Sequence, residues 1–110
     1  MVYELRTYWA APGKIQDLHQ RFRSLTMGIF KRLNMEVVGF WSPAAPGPET
    51  GDLVYILRFA DENAMKTAWE TFRGDPEWVA GRTASEINGK LTEKVTSVLM
   101  RPTDYAPIQG

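Results

Sequence analysis

The chain of 110 residues lacks cysteine, so it forms no disulfide and has no thiolate nucleophile or thiolate metal ligand. Its one histidine, His19, leaves a zinc site short of nitrogen ligands, and we expect no metal and no cofactor. The missing cysteines suit a reducing compartment, and the sequence begins without the pattern of a signal peptide. The expected location is therefore cytoplasmic.

An excess of charge is also absent, because thirteen basic and thirteen acidic residues cancel. Nucleic acids and anionic membranes attract basic surfaces, so neither is an expected partner. No apolar run approaches the roughly 20 residues that cross a bilayer. The remaining composition, with 44% hydrophobic and 12% aromatic residues, is typical of one globular domain with a substantial core.

The opening stretch alternates with the period of two of a β-strand, over residues 2–9. Pro12 and Gly13 end that strand and favour the start of a helix. Apolar residues then recur at steps of three and four, which predicts a helix over residues 13–33 with Arg21 off its apolar stripe. Gly28 makes that helix locally less stable than alanine would, and it indicates close packing or a bend there.

Two more strands follow, over residues 35–41 and 53–59, separated by a loop rich in proline and glycine. In the first of them, Gly39 predicts a bulge or a close backbone approach. Simple alternation would place Val37 and Trp41 on one side and Val38 and Phe40 on the other. The strand over residues 53–59 is apolar on both faces, as in strands that are covered on both sides.

The second helical region has clear start signals. Asp61 is a predicted N-cap, and Asp75 followed by Pro76 predicts the start of a further short helix. A last strand covers residues 91–101. We expect one domain over residues 1–102 and a C-terminal tail over residues 103–110, in which Tyr105 and Ile108 are apolar anchors that lie over a neighbour.

The order β-α-β-β-α-β predicts an α+β fold of the ferredoxin-like class, an antiparallel sheet with its helices on one face. Alternation within strands suggests two apolar sets, one with Tyr3, Leu5, Leu53, Tyr55 and Leu57, the other with Val2, Tyr8, Val54 and Ile56. Helices cover one face only, so the other needs a partner. The economical partner is a second copy, packed sheet to sheet as a homodimer that forms a dimeric α/β barrel.

Several segments resemble the NIPSNAP family of the dimeric α/β-barrel superfamily. They are Tyr3-Glu-Leu-Arg-Thr-Tyr8 with Pro12-Gly-Lys14, then Val38-Gly-Phe-Trp41, Asp75-Pro-Glu-Trp78, and Leu99-Met-Arg-Pro102 with Ala106-Pro-Ile108. The resemblance implies the fold and a homodimer, and it implies no reaction because the family has no settled activity. In the third strand the chain departs from the family, with Tyr55 where relatives usually have histidine.

One polar cluster falls on a single strand face, because Glu4, Arg6 and Tyr8 are spaced by two. Arg6 is the candidate anchor for a ligand carboxylate or carbonyl, and Arg58 is a candidate addition to the patch. The alternatives are an ion pair between subunits that sets the dimer register, or simple exposure at a sheet edge.

Other candidates are the imidazole of His19, as a base or a haem ligand, and the aromatic residues Trp41, Tyr55, Trp69 and Trp78, as the lining of an apolar pocket between sheet and helices. A helix-flank histidine and ordinary core aromatics are the competing interpretations.

Two hypotheses for function follow. The first is a small-molecule-binding or interaction module, whose ligand is apolar with an anionic or carbonyl end. The second is a cofactor-independent monooxygenase or isomerase acting on an aromatic or quinone-like substrate. They differ in one structural requirement, since the second needs Arg6 and His19 to point into one enclosed cavity.

Overall fold

In residues 1–108, the part of the chain that the computed structural model describes, four strands form one antiparallel sheet. The strands are β1 (Val2–Ala10), β2 (Glu36–Trp41), β3 (Leu53–Phe59) and β4 (Thr92–Met100). Helices α1 (Ile15–Arg21) and α2 (Met27–Arg32) precede β2, and helices α3 (Glu62–Gly74) and α4 (Pro76–Ser85) precede β4. The sheet order β2-β3-β1-β4 confirms the predicted ferredoxin-like α+β fold.

The strand register decides which residues share a face of the sheet. Tyr8 pairs with Leu53, and Thr7 pairs with Val54. Paired residues point to the same side, so the grouping of Tyr3 and Leu5 with Leu53 is wrong. The face turned to the helices carries Val2, Glu4, Arg6, Tyr8, Leu53, Tyr55 and Leu57. The opposite side, here called the open face, carries Tyr3, Leu5, Thr7, Val54, Ile56, Arg58 and Val98.

A bulge in β2 inverts the expected alternation of that strand. The register shifts between Val37 and Gly39, so Phe40 pairs with Tyr55 on the helix side while Trp41 pairs with Val54 on the open face. Val37 and Trp41 therefore do not share a side, because the extra residue of a bulge reverses the side chains that follow it. The irregularity predicted at Gly39 is confirmed. A Cβ atom there would lie 2.8 Å from the Trp41 ring, which explains the glycine.

The first helical segment is continuous but irregular, since a π-helical turn (Phe22–Thr26) joins α1 to α2. Arg21 is buried, so the prediction that it lies off the apolar stripe is wrong. Arg21 ends the regular α-helix three residues after the buried Leu18, and Glu86 and the Trp78 ring of the second helical region cover it. The π-helical turn ends two residues before Gly28. Gly28 itself is not closely packed, because an added Cβ atom would meet nothing within 4 Å.

The second helical region begins where the sequence predicts. Asp61 Oδ1 accepts the Ala64 N–H at 2.7 Å and caps α3. Asp75 Oδ1 accepts the N–H groups of Glu77 and Trp78 at 3.0 and 3.2 Å and caps α4. The caps fix a helical hairpin that turns the aromatic side of α3 toward the sheet.

The described part of the tail lies beside the open face of its own chain. Ala106 and Ile108 line a groove of about 240 Å³ with Tyr3 and Ile56. Tyr105 is 84% exposed, so it is not an anchor packed against residues 1–108. Residues 109 and 110 of the predicted tail lie outside the described residues, and the domain boundary near residue 102 stays a prediction. Among the described helices, none is long and apolar enough to cross a membrane.

Candidate functional site

A cavity of about 220 Å³ lies between the helices and the sheet face that they cover. Seven aromatic side chains from the sheet and helices line it: Tyr8, Phe22, Phe30, Tyr55, Trp69, Phe72 and Trp78. They form a continuous cluster, in which the Phe30 ring lies 5.8 Å from that of Trp69 and the Phe72 ring 4.7 Å from that of Trp78. Such edge and tilted contacts give the cavity a rigid apolar wall.

Arg6 provides the charged group of this wall. Its Nε donates to the Tyr55 hydroxyl at 2.9 Å, Nη1 to Glu4 Oε2 at 3.0 Å and Nη2 to the Tyr8 hydroxyl at 3.2 Å. The guanidinium also lies over the Trp69 ring, 4.2 Å from its centre. A guanidinium has five N–H groups, so one on Nη1 and one on Nη2 have no partner among residues 1–108. These two donors are available to a ligand.

Glu4 fixes the position of the Arg6 guanidinium through a carboxylate that is only 2% exposed. Oε1 accepts the Trp69 indole N–H at 2.6 Å. Oε2 accepts from the Ser97 hydroxyl at 2.6 Å as well as from Arg6. A buried carboxylate is costly unless it is paired and hydrogen-bonded, and here both conditions are met. The Glu4–Arg6 pair forms within one chain and on the helix side, so it differs from the intersubunit pair considered above.

The hydroxyl groups of Tyr8 and Tyr55 lie 2.8 Å apart. Burial, reinforced by Tyr8, raises the pKa of Tyr55 well above its ordinary value. Both oxygens accept from Arg6, and either hydroxyl can donate to the other. One of the two hydroxyl protons joins the pair, and the other is left as a third donor beside the cavity that both tyrosines line.

Burial alone would lower the pKa of Arg6, but Tyr55, Tyr8 and Glu4 together raise it above its ordinary value. Arg6 is therefore permanently charged, and its geometry is set by groups from β1, β3 and α3. A planar donor fork held this firmly suits a carbonyl or carboxylate oxygen.

The π-helical turn supplies part of the opposite wall. Arg21, Phe22 and Thr26 all line the cavity from this turn and the residue before it. Arg21 Nη1 donates to Glu86 Oε2 at 2.9 Å, and its guanidinium lies 5.2 Å from the centre of the Trp78 ring. π turns recur at functional sites because they redirect side chains within a helix.

Six of the nine candidate residues from the sequence meet at or beside this cavity. They are Glu4, Arg6, Tyr8, Tyr55, Trp69 and Trp78. Sequence reasoning missed Phe22, Phe30, Phe72, Ser97 and the arginines Arg21, Arg73 and Arg82. The apolar period of the helices was a signal for the three phenylalanines, but it marks a core face and does not distinguish a cavity wall from solid packing. Ser97 and the arginines had no such signal.

The other three candidates lie elsewhere. His19 lines a separate cavity of about 330 Å³ with Met27, Phe40 and Trp41, on the far side of Phe22. Trp41 is 50% exposed and borders that second cavity, not the first, from the end of the edge strand β2. Arg58 points to the open face and pairs with Glu36 at 3.0 Å, so the expectation that it joins Arg6 is wrong. Arg58 and Tyr55 are three positions apart in β3, so their side chains point to opposite faces of the sheet.

Metal ligands are not clustered in the described structure. Within residues 1–108, no three side chains of His, Cys, Asp or Glu are placed to hold a metal ion together.

Comparison with known proteins identifies relatives across nearly the whole chain. The family model NIPSNAP matches residues 3–107. An uncharacterized NIPSNAP domain protein from Burkholderia xenovorans is 22% identical, with a TM-score of 0.80 over 98% of this chain and 100% of that chain. A NIPSNAP family protein of unknown function from Agrobacterium tumefaciens is 24% identical, with a TM-score of 0.79 over 97% of this chain and 92% of that chain.

A more distant likeness reaches an antibiotic biosynthesis monooxygenase, which is 15% identical, with a TM-score of 0.58 over 94% of this chain and 99% of that chain. At these levels of identity, the similar structures share the fold and carry no activity over to this chain. No curated protein matches the chain.

Proposed function

This chain belongs to the NIPSNAP family, and we propose that it is a small-molecule-binding module for an aromatic ligand that ends in a carbonyl or carboxylate oxygen. The observation that carries the proposal is the Arg6 guanidinium, which four neighbours hold rigidly while two of its N–H groups face no partner in residues 1–108. Together with the hydroxyl proton that the Tyr8–Tyr55 pair leaves over, which we assign to Tyr8, they supply three donors at an apolar cavity.

The size of the cavity limits the ligand. Its volume of about 220 Å³ is below the roughly 300–1,000 Å³ of typical ligand pockets. A compound with one or two rings fits this space better than a larger cofactor. Its rings would pack against Phe22, Phe72 and Trp78, and its oxygen would take the donors of Arg6 and Tyr8.

Binding is better supported than catalysis by the groups around the cavity. A cofactor-independent monooxygenase or isomerase needs a base to remove a substrate proton. His19 lies in the other cavity, and both oxygens of the Glu4 carboxylate already accept hydrogen bonds. Glu86 is paired with Arg21. One observation favours the enzyme hypothesis, because the donors of Arg6 and Tyr8 would also stabilise the oxygen of an enolate intermediate.

Acetophenone and ethylbenzene test the binding proposal, because they share a ring and differ in the carbonyl group. The Trp69 indole N–H resonance in NMR titrations reports binding at the cavity. Acetophenone is expected to bind more tightly than ethylbenzene. Tyr8→Phe should weaken acetophenone by about two- to ten-fold, the worth of one neutral hydrogen bond, and leave ethylbenzene unchanged. Tyr105→Phe, which removes an exposed hydroxyl, is the control.

The proposal would be overturned if the protein bound acetophenone and ethylbenzene equally tightly, or if it bound neither of them. The same samples in deuterated water test the enzyme hypothesis, because enolisation exchanges the methyl protons of acetophenone. Exchange above the rate in buffer, lost in Tyr8→Phe, would replace the binding module by an isomerase or oxygenase.

We also propose that the chain is a homodimer, joined through its open face. Val98 is 53% exposed on this face and Val38 40%, next to Leu5 and Ile56, which makes a contiguous apolar surface beside the tail. Large apolar patches of this kind usually mark an interface. Sedimentation at micromolar concentration should give twice the chain mass of 12.5 kDa. A monomer would contradict the proposal. The cytoplasmic location stays a prediction, which cell fractionation tests.

A further inference from the structure

The charges of the cavity do not balance, although those of the whole chain do. Its wall includes four arginines from different elements: Arg6, Arg21, Arg73 and Arg82. Glu4 neutralises Arg6 at 3.0 Å, and Glu86 neutralises Arg21 at 2.9 Å. No other carboxylate among the described residues lines this cavity or pairs with its arginines. The site therefore has an excess of two positive charges, which belong to Arg73 and Arg82.

The unbalanced arginines lie at the opening of the cavity, whereas Arg6 lies inside. The Arg6 side chain is 18% exposed and that of Arg82 is 60% exposed, and Arg73 is exposed as well. Arg82 Nε is 3.6 Å from Glu86 Oε2, beyond a good hydrogen bond, and no hydrogen bond in the described residues uses its Nη atoms. The Arg73 side chain makes no ion pair or hydrogen bond within residues 1–108. Arg82 thus shares Glu86 with Arg21, while the Nη groups of Arg82 and the guanidinium of Arg73 are free to bind at this end.

We infer that the ligand is an aromatic carbonyl compound that carries a carboxylate or phosphate group at its other end, bound by Arg73 and Arg82. This inference rests on the proposed function, since it takes the Arg6 and Tyr8 donors as the site of the carbonyl oxygen. The inner arginine is compensated by Glu4 and suits a neutral oxygen. The outer arginines are uncompensated and suit an anion.

A purely structural role for the outer arginines is the competing explanation. Arg73 lies in the last turn of α3, and Arg82 lies in the last turn of α4. Cations at these positions interact favourably with the helix dipole. That role affects stability and has no reason to distinguish one ligand from another.

Probes with the same carbonyl end and different far ends separate the two explanations. We would titrate para-acetylbenzoate, para-acetylphenyl phosphate and para-acetylbenzamide, following the Trp69 indole resonance. The two anions are expected to bind more tightly than the amide. Their affinity should fall as salt rises from about 0.1 M to about 1 M. Over this range the distance at which salt screens exposed charges shortens from roughly 10 Å to roughly 3 Å. The stronger of the two anions identifies the preferred group.

The variants Arg73→Gln and Arg82→Gln should each weaken the anions by about two- to five-fold, the range for exposed ion pairs. The amide should be unaffected. Arg23→Gln removes an equally exposed arginine beside the second cavity and serves as the matched control.

The outcomes distinguish this inference from the proposed function. If all three probes bind equally and the outer variants change only the melting temperature, the anionic end is wrong while the carbonyl site stands. If none of the probes binds, the proposed function and this inference both fail.

Discussion

Glu4 and Arg6 are two residues apart on one face of β1, and their side chains form an ion pair of 3.0 Å that is almost completely withdrawn from solvent on the carboxylate side. The spacing is a consequence of strand geometry, which returns side chains to the same face at every second residue. The depth of the pair is a consequence of packing, because Trp69 from α3 lies over Arg6 and donates to Glu4.

Arg6→Met should be strongly destabilising, because it leaves the Glu4 carboxylate buried without its counter-charge. We expect a loss of about 3–5 kcal/mol in the free energy of unfolding. In the double variant with Glu4→Gln, the loss should be smaller than the sum of the two single losses by about 0.5–3 kcal/mol. Urea unfolding of the four proteins measures this coupling. Strictly additive losses would mean that the pair contributes no interaction energy.

Tyr55→Phe should change how stability depends on alkaline pH. The folded-state pKa of Tyr55 is raised well above the ordinary value of 10.0, so above that pH the unfolded chain loses the proton first. Stability then falls as pH rises, from about pH 10 to the folded-state pKa. The variant lacks this contribution, so its unfolding free energy should fall less steeply between about pH 10 and about pH 11.

At about pH 8, Tyr55→Phe should instead be less stable than the wild type, by about 0.5–1.5 kcal/mol for each hydrogen bond lost. Guanidinium unfolding at each pH gives both quantities, with Tyr105→Phe as an exposed control. Parallel curves for wild type and Tyr55→Phe above pH 10 would argue against the raised pKa.

The neighbours Leu53 and Val54 test the two faces of β3 separately. Leu53 is 4% exposed on the helix side, so Leu53→Asp buries an unpaired charge and should cost at least about 3 kcal/mol. Val54 points to the open face, so Val54→Asp should leave the single chain folded and shift the assembly to monomer. Val54→Thr keeps the shape without the charge and is the control. A fully dimeric Val54→Asp protein would place the interface elsewhere.

Removal of metal ions should leave the protein unchanged. One histidine and no cysteine offer few ligands, so stability should owe nothing to a transition metal. Thermal unfolding after exhaustive dialysis against a chelator is expected to give the melting temperature of the untreated protein. A decrease of several degrees, reversed by added metal, would contradict this.

Residues that are close together in the chain predicted the local features of the protein. The period of two places Glu4, Arg6 and Tyr8 on one strand face, and the caps at Asp61 and Asp75 start α3 and α4, because each of these depends on residues a few positions apart. The order of strands and helices then leaves few topologies, and the ferredoxin-like fold follows from it. Composition set the limits on disulfides, metals and charge.

Which of these local features come into contact depends on residues far apart in the chain. Alternation within a strand shows which of its residues share a face, but it does not give the register against the next strand. The sequence-based grouping therefore placed Tyr3 with the wrong face of β3. The bulge in β2 displaces the side chains that follow it and turns Trp41 away from the cavity. The packing of α4 against the end of α1 buries Arg21 at the cavity wall. The contacts of Arg6 with Tyr55 and Trp69 span 49 and 63 positions of the chain. Only the packing of the whole core, where cavities and long-range hydrogen bonds are settled together, brings such residues into contact.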